Sequence, residues 1–353
     1  MQLTKEQQLL QDKRNAYIQS LVEKCKSQDE IFSTTRLFGI GGSDVAAIMG
    51  MSKWRTAYDV WKTKTFRQSV IEEKLCFDTG HALEGVIAKW YEKKTGYTVY
   101  EAEHLAMEDY PFLLGNFDRI VFDKPQEQGG QIVCGLECKT ANDNTKIIIN
   151  GAERSKWGKD NVYNDNKELV VESDQIDPEY VAQVQFYMMV SGLPFWDVAV
   201  MIGNHELRYY RVHADRDFQQ KMLNTCVDFW LNHVLTDVAP AMTIADAKTM
   251  SVEDNTAEAD KEIFELVDMR KDINIKIAAL EADLKSVENK LADKIKDYTK
   301  ITYKNDEGKT KTLITFKSSN RTSFDSKTFE SEHPDLYKNY LKTTTTSRVL
   351  RFY

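Results

Sequence analysis

The 353-residue chain is 42% hydrophobic and 29% charged with a formal net charge of −8, enough apolar material for a packed core and the wrong sign for a protein that coats nucleic acid with its whole surface. No apolar run approaches the ~20 residues that cross a bilayer and no apolar leader opens the chain, so a cytoplasmic protein with no membrane partner is expected. The five cysteines are odd in number and form no Cys-x-x-Cys pair, which argues against a disulfide framework and a zinc or iron–sulfur cage and predicts free thiols packed mostly inside.

Residues 4–31 read as a helix with an apolar stripe through Leu9, Leu10, Tyr17, Ile18, Leu21 and Val22. A Ser-Thr-Thr loop then leads into Arg36-Leu37-Phe38-Gly39-Ile40-Gly41-Gly42-Ser43-Asp44, where Ser43 or Asp44 is a natural N-cap for a short helix from Val45 to Met49. Trp54 and Arg55 follow this turn, and a tryptophan beside Met51 and Tyr58 more often belongs to a core. Further helices are expected from Tyr58 to Lys64 and around Gly80-His81-Ala82-Leu83-Glu84-Gly85, the latter running to Thr95 and stopping at Gly96.

Strands are predicted at 97–103, 113–122 and 132–140. The stretch 141–172 is polar and ambiguous, with a mobile loop expected at Gly158-Lys159-Asp160-Asn161. Asp177-Pro178 opens the next helix, which ends at Gly192, with Tyr180, Val181, Val184, Tyr187 and Met188 at helical spacing and Gln183 left on or beside this apolar face. Strands at 196–202 and 207–213 and a helix at 215–235 complete an α/β domain over 1–245.

Residues 246–298 are a linker and a long amphipathic helix. From 258 on, Ile263, Leu266, Ile273, Ile277, Leu280, Leu284, Val287 and Leu291 keep alternating three- and four-residue spacing, interrupted by Arg270 and Lys294, as in a coiled coil. Residues 299–353 carry 11 basic against 6 acidic residues and read as a small basic α+β module: a hairpin around Asn305-Asp306-Glu307-Gly308, a helix at 325–341 and a terminal strand at 349–353.

The chemistry concentrates in two runs, Gly115-Asn116-Phe117-Asp118 and Gly135-Leu136-Glu137-Cys138-Lys139. Side chains two apart on a strand share a face, so Glu137 and Lys139 converge while Leu136 and Cys138 point the other way. If the two runs are adjacent antiparallel strands, Asp118 and Glu137 lie side by side and form a hard-oxygen site suited to Mg²⁺ or Mn²⁺, with Lys139 deprotonating or orienting a water for attack on a phosphodiester.

Arg36, Gly41-Gly42-Ser43, Glu84, Asp118, Glu137-Cys138-Lys139 and Ala182-Gln183-Val184-Gln185 together resemble, in order and approximate spacing over residues 33–235, the YqaJ-type viral recombination nucleases and lambda exonuclease of the PD-(D/E)xK superfamily. The resemblance implies a restriction-endonuclease-like mixed central sheet flanked by helices and an enzyme that digests linear double-stranded DNA from 5′ ends with Mg²⁺, two ions in all, leaving 3′ single strands for an annealing protein. It implies that Asp118, Glu137 and the Cys138 carbonyl hold metal, that Glu84 reaches a metal or its water, and that Lys139 is the catalytic lysine. Gln183 would then bond the attacking water or a phosphate oxygen, with Gln185 the weaker match, and Arg36 and Ser43 would bind the terminal 5′-phosphate. A ring-shaped homotrimer is a further implication. Asn116-Phe117 stands where a proline often precedes the aspartate in that family, and a Gly-Asn-Phe-Asp turn is expected to place the carboxylate similarly. The competing readings are an endonuclease of the same superfamily and an inactive DNA-binding scaffold; a Cas4-like iron–sulfur nuclease is disfavoured by the cysteine pattern.

Overall fold

The computed structural model describes residues 3–68, 75–142, 146–149, 152–155, 157–158, 162–163, 169–170, 176–203, 205–249, 256–304, 308–315 and 323–341. They divide into two units, the first running to Thr249 and the second lying within 250–347.

In the first unit α1 (Lys5–Val22) and α2 (Gln28–Thr35) lead into β1 (Ile40–Gly41), α3 (Gly42–Ile48), α4 (Ala57–Lys64) and α5 (Leu75–Thr95). Five strands follow: β2 (Thr98–Glu101), β3 (Leu105–Met107), β4 (Tyr110–Gly115), β5 (Arg119–Phe122) and β6 (Ile132–Ala141). Two short antiparallel ladders, β7 (Lys146–Ile149) with β8 (Ala152–Ser155) and β9 (Val162–Tyr163) with β10 (Leu169–Val170), precede α6 (Pro178–Ser191), β11 (Phe195–Ile202), β12 (Glu206–His213), α7 (Arg216–Phe229) and α8 (Ile244–Thr249).

The main sheet has the order β12-β11-β6-β5-β2. Only β6 and β11 run parallel in it, and a parallel pair needs a crossover, which α6 supplies. Alternation along the strands sorts the two faces. Cys134, Leu136 and Cys138 of β6 pack with Ile87, Ala88 and Tyr91 of α5. On the other face Trp196, Val198 and Val200 of β11 join α3, α6 and α7 in the larger core. The expected mixed sheet flanked by helices is therefore present, and it turns Glu137 and Lys139 toward α6.

Several boundaries differ from the sequence expectation for identifiable reasons. The helix expected at 4–31 is two: α1 ends at Val22 with Glu23 as its C-cap, and Ser27 starts α2 as its N-cap, accepting the Glu30 N–H. The strand expected at 113–122 breaks at residues 116–118: β4 joins a separate sheet, β1-β4-β3, while β5 joins the main one. Phe117 sits at the break, its ring edge-on to Tyr187 and Trp196 with centroids 5.0 and 4.8 Å away. It also fills the space a side chain on Gly115 would occupy, 2.4 Å from that Cβ position. The helix expected at 215–235 continues past α7 as a π-helical turn, Trp230–Val234.

The second unit comprises α9 (Lys261–Ile295), the antiparallel pair β13 (Lys300–Lys304) and β14 (Thr310–Thr315), α10 (Ser326–Glu332) and α11 (Pro334–Tyr340). The single helix expected at 325–341 is interrupted at His333-Pro334, since proline lacks the N–H and disfavours a helical residue before it. The turn at 305–307, the loop at 159–161 and the strand at 349–353 lie outside the described residues. No helix among the described residues is long and apolar enough to cross a membrane.

Gly135 of β6 lies under the indole of Trp196, where an added Cβ would come within 2.1 Å of the ring. Gly135→Ala therefore overpacks the sheet and is expected to lower the unfolding free energy by about 1–3 kcal/mol. Urea unfolding followed by tryptophan fluorescence reads this unit directly, because all six tryptophans fall within it.

Candidate active site

β5 and β6 are antiparallel neighbours with Arg119 opposite Leu136, so Asp118, one residue before β5, falls beside Glu137. Asp118 Oδ2 accepts the backbone N–H of Cys138 at 2.8 Å, a bond that anchors the carboxylate over β6. Glu137 is 1% exposed. Its Oε1 accepts from Lys139 Nζ and from Gln183 Nε2, the latter at 2.7 Å. Its Oε2 is buried and has no hydrogen-bond partner among the described residues. An orphaned oxygen on a buried carboxylate is costly unless a cation completes it.

The electrostatics agree. Burial first, then the negative charges of Asp118 and Glu84, push the Glu137 carboxyl above its ordinary range, with Lys139 opposing. Glu84 on α5 is also raised, by burial and then by Asp118, and lies 4.0 Å from Arg119 Nη1. Burial alone would lower Lys139, but Glu137 and Asp118 outweigh it and hold its ammonium charged. Among the described residues, three acids therefore share a region in which Lys139 pairs with Glu137 Oε1 and Arg119 stands at the edge near Glu84. Among the described residues no three His, Cys, Asp or Glu groups close on one point to hold a metal ion: Asp118 Oδ2 is committed to Cys138 and Glu137 Oε1 to Lys139 and Gln183.

One face of α6 supports this centre. Asp177 caps the helix and Pro178 opens it, which sets Tyr180, Gln183 and Tyr187 at i, i+3 and i+7 on one side. Lys139 Nζ lies 5.0 Å from the Tyr180 ring, and Gln183 Nε2 also donates to Tyr187 Oη at 2.9 Å. The roles of Tyr180 and Tyr187 escaped the sequence reading, which placed both on an apolar stripe; their spacing from Gln183 was the available signal. Gln185 points elsewhere. It donates to the His213 carbonyl at 2.7 Å and accepts from Asp215 N and Gln219 Nε2, both at 2.9 Å, so it ties α6 to the start of α7.

Arg36 and Ser43 meet directly, the guanidinium donating to Ser43 Oγ. The helix here starts earlier than expected: Gly41 is its N-cap, Ser43 and Asp44 lie in its first turn, and Asp44 Oδ2 accepts the Gly41 N–H at 3.2 Å. Asp44 is buried, 2.8 Å from Lys64 Nζ and 3.2 Å from Arg55. Burial would raise its carboxyl, but Lys64, Arg55 and Arg36 hold it well below the usual range. Burial pushes Lys64 down to about 8 despite Asp44, and Lys64 Nζ donates to the Arg36 carbonyl at 2.7 Å. Three cations thus surround one carboxylate, leaving a positive surplus behind the exposed Ser43. Trp54, expected in a core, is 81% exposed.

The two clusters are joined through Tyr187. A Cβ on Gly42 would lie 2.4 Å from the Tyr187 ring, so α3 approaches α6 as closely as glycine permits. Tyr187 is raised by burial and then by Glu137 and Asp118, with Arg36 opposing; one phenol feels both clusters.

Residues 32–194 match the YqaJ-like viral recombinase domain. The "Uncharacterized protein YqaJ" of Bacillus subtilis (strain 168) is 26% identical over 332 residues, 90% of this chain and 92% of that protein. Among solved structures, an alkaline exonuclease from Laribacter hongkongensis is 14% identical with a TM-score of 0.41, covering 59% of this chain and 94% of its own. A phage related exonuclease from Haemophilus somnus 129PT is 12% identical with a TM-score of 0.36, covering 57% of this chain and 95% of its own.

Asp44→Ala would strand a buried lysine and is expected to cost about 3–5 kcal/mol of stability. Adding Lys64→Met removes the stranded charge and should recover part of the loss. Urea unfolding of the two variants checks both statements; an Asp44→Ala midpoint equal to wild type would contradict them.

Proposed function

We propose, from the acid–lysine centre within the residues 32–194 that match the YqaJ-like viral recombinase domain, that this chain is a metal-dependent nuclease that degrades linear double-stranded DNA from 5′ ends, leaving 3′ single strands for an annealing protein. The observation that carries the reading is the buried Glu137, clamped on one oxygen by Lys139 and Gln183 and orphaned on the other beside Asp118. A surface Glu-x-Lys pair would have solvated oxygens and no buried amide directed at it.

The donor set fits magnesium, with manganese as a substitute: Asp118, the orphaned Glu137 Oε2 and the Cys138 carbonyl are hard oxygens on adjoining strand positions, with Glu84 near enough to feel their charge. When bound, such ions supply positive charge at the scissile phosphate and lower the pKa of a coordinated water. The remaining steps belong to the side chains. Lys139, held protonated by its acidic neighbours, is suited to orient the water and contact a phosphate oxygen rather than to accept a proton. Gln183 fixes Glu137 Oε1 and leaves Oε2 turned inward. Tyr180 lies beside Lys139 and limits its wandering. Water attacks phosphorus in line, the P–O3′ bond breaks, and the proton the water gives up ends on the departing O3′, releasing a 5′-nucleotide with a 3′-hydroxyl.

End recognition falls to Arg36 and Ser43. A guanidinium fork, a hydroxyl and the surplus charge of Arg55 and Lys64 suit a doubly charged terminal phosphate better than an internal diester. The acidic net charge confines DNA contact to such local cation clusters.

Blunt linear duplex carrying a 5′-phosphate or a 5′-hydroxyl, set beside closed circular DNA with Mg²⁺ or EDTA, tests the reading. Expected are loss of the phosphorylated linear DNA with Mg²⁺, none with EDTA, and an intact circle. Cleavage of the circle would favour an endonuclease; no cleavage with Mg²⁺ or Mn²⁺ would favour a binding scaffold. Asp118→Ala, Glu137→Ala and Lys139→Ala should each lower the rate by at least about 100-fold. Arg36→Ala should keep hydrolysis but lose the preference for phosphorylated ends, and unchanged discrimination would remove Arg36 from the pocket.

A further inference from the structure

In the second unit α9 runs as one helix from Lys261 to Ile295, roughly 50 Å at 1.5 Å per residue. Its heptad stripe is open to solvent: Ile273, Ile277, Leu280, Leu284, Val287 and Leu291 are each 43–68% exposed. Aliphatic residues in unbroken three–four alternation from Ile273 to Leu291, about two and a half heptads, form a seam that a second helix of the same kind fills, knob into hole.

We infer that this seam is occupied by α9 of a second copy of the chain, running antiparallel. The charges choose both the occupant and the direction. In a parallel pair each seam position faces itself, so Arg270 meets Arg270 and Lys294 meets Lys294 inside the apolar stripe, while Asp283 flanks Glu288 of the second copy. Like charges in and beside a seam oppose pairing. Turning one helix round removes every one of these conflicts. Arg270 then lies opposite Val287, Ile273 opposite Leu284, Ile277 opposite Leu280 and Lys294 opposite Ile263. The flanking positions bring Lys276 against Asp283 of the second copy, twice by symmetry. Arg270 and Lys294 each end near the margin of an aliphatic layer, where a long side chain reaches water past its neighbours. A parallel pair keeps one favourable flanking contact, Lys276 with Glu281, but faces like charges at Arg270, at Lys294 and between Asp283 and Glu288, whereas the antiparallel pair avoids all three conflicts. This surface is separate from the nuclease centre and does not depend on the activity proposed for it.

Light scattering on the full chain tests the pairing. Leu280 and Leu284 are exposed in the single chain, so Leu280→Glu with Leu284→Glu leaves the protomer's fold intact and should halve the mass of the assembly. Equal masses for wild type and variant would overturn the inference, whether the seam is covered from within one chain or only by another protein. Direction is read by oxidative crosslinking of two differently tagged full-length variants, Arg270→Cys and Val287→Cys. Mixed, they should yield a hetero-crosslinked dimer well above the background of the native cysteines, and each alone should not. Self-crosslinking of Arg270→Cys alone would establish the parallel arrangement and overturn the antiparallel one.

Discussion

Burying an ionisable carboxylate is the constraint around which the first unit is arranged. Taking Glu137 out of water costs several kcal/mol that hydrogen bonds and a nearby cation must offset. Lys139 and Gln183 offset it on one oxygen only. Asp118 and Glu84 then add negative charge where solvation is already lost. A protein selected for stability alone would satisfy Oε2 or replace the residue. Retaining the deficit leaves unbalanced negative charge around Glu137.

The architecture explains how such a position is held. β6 is central, paired with β5 on one side and β11 on the other, so the backbone carrying Glu137 cannot drift. The break at Phe117 ends one sheet and starts another, and that change of direction delivers Asp118 onto the Cys138 N–H. Gly42 permits α3 to press against Tyr187, and Tyr187 meets the amide that holds Glu137. The cation cluster at Arg36 and the acid cluster at Glu137 are therefore separated by one phenol and one amide. The buried Asp44–Lys64 pair keeps the loop bearing Arg36 in place through the Arg36 carbonyl.

Much of this was legible in the residues. Period-two alternation in Gly135-Leu136-Glu137-Cys138-Lys139 correctly put Leu136 and Cys138 in the core and Glu137 with Lys139 on the opposite face, because register fixes every side chain of a strand at once. The Asp177-Pro178 start and Gly192 stop bounded α6 for the same local reason. Less visible were contacts set by tertiary packing. Gln183 and Gln185 look alike in the sequence, yet two residues on a helix differ by about 200° of rotation, so one faces the site and the other α7. Lys64 carries no local sign that it will be buried under Asp44, twenty residues away. Trp54 read as a core residue by its neighbours and proved exposed because the turn that positions Arg55 on Asp44 turns Trp54 outward. The break at 116–118 was hidden because apolar residues flank it on both sides, Phe112-Leu113-Leu114 before and Ile120-Val121-Phe122 after, so that Gly115 read as lying inside one strand.

Whether Glu137 is a cation ligand or a buried structural acid is decided by binding of the ion itself. Titrating Mn²⁺ into the full chain, without DNA, and counting bound ions by electron paramagnetic resonance separates the two. Saturable binding is expected for the wild-type chain and should be abolished by Glu137→Gln, with the substituted protein still folded by its tryptophan emission. Equal Mn²⁺ binding by the two proteins, or none by either, would contradict a ligand role for Glu137.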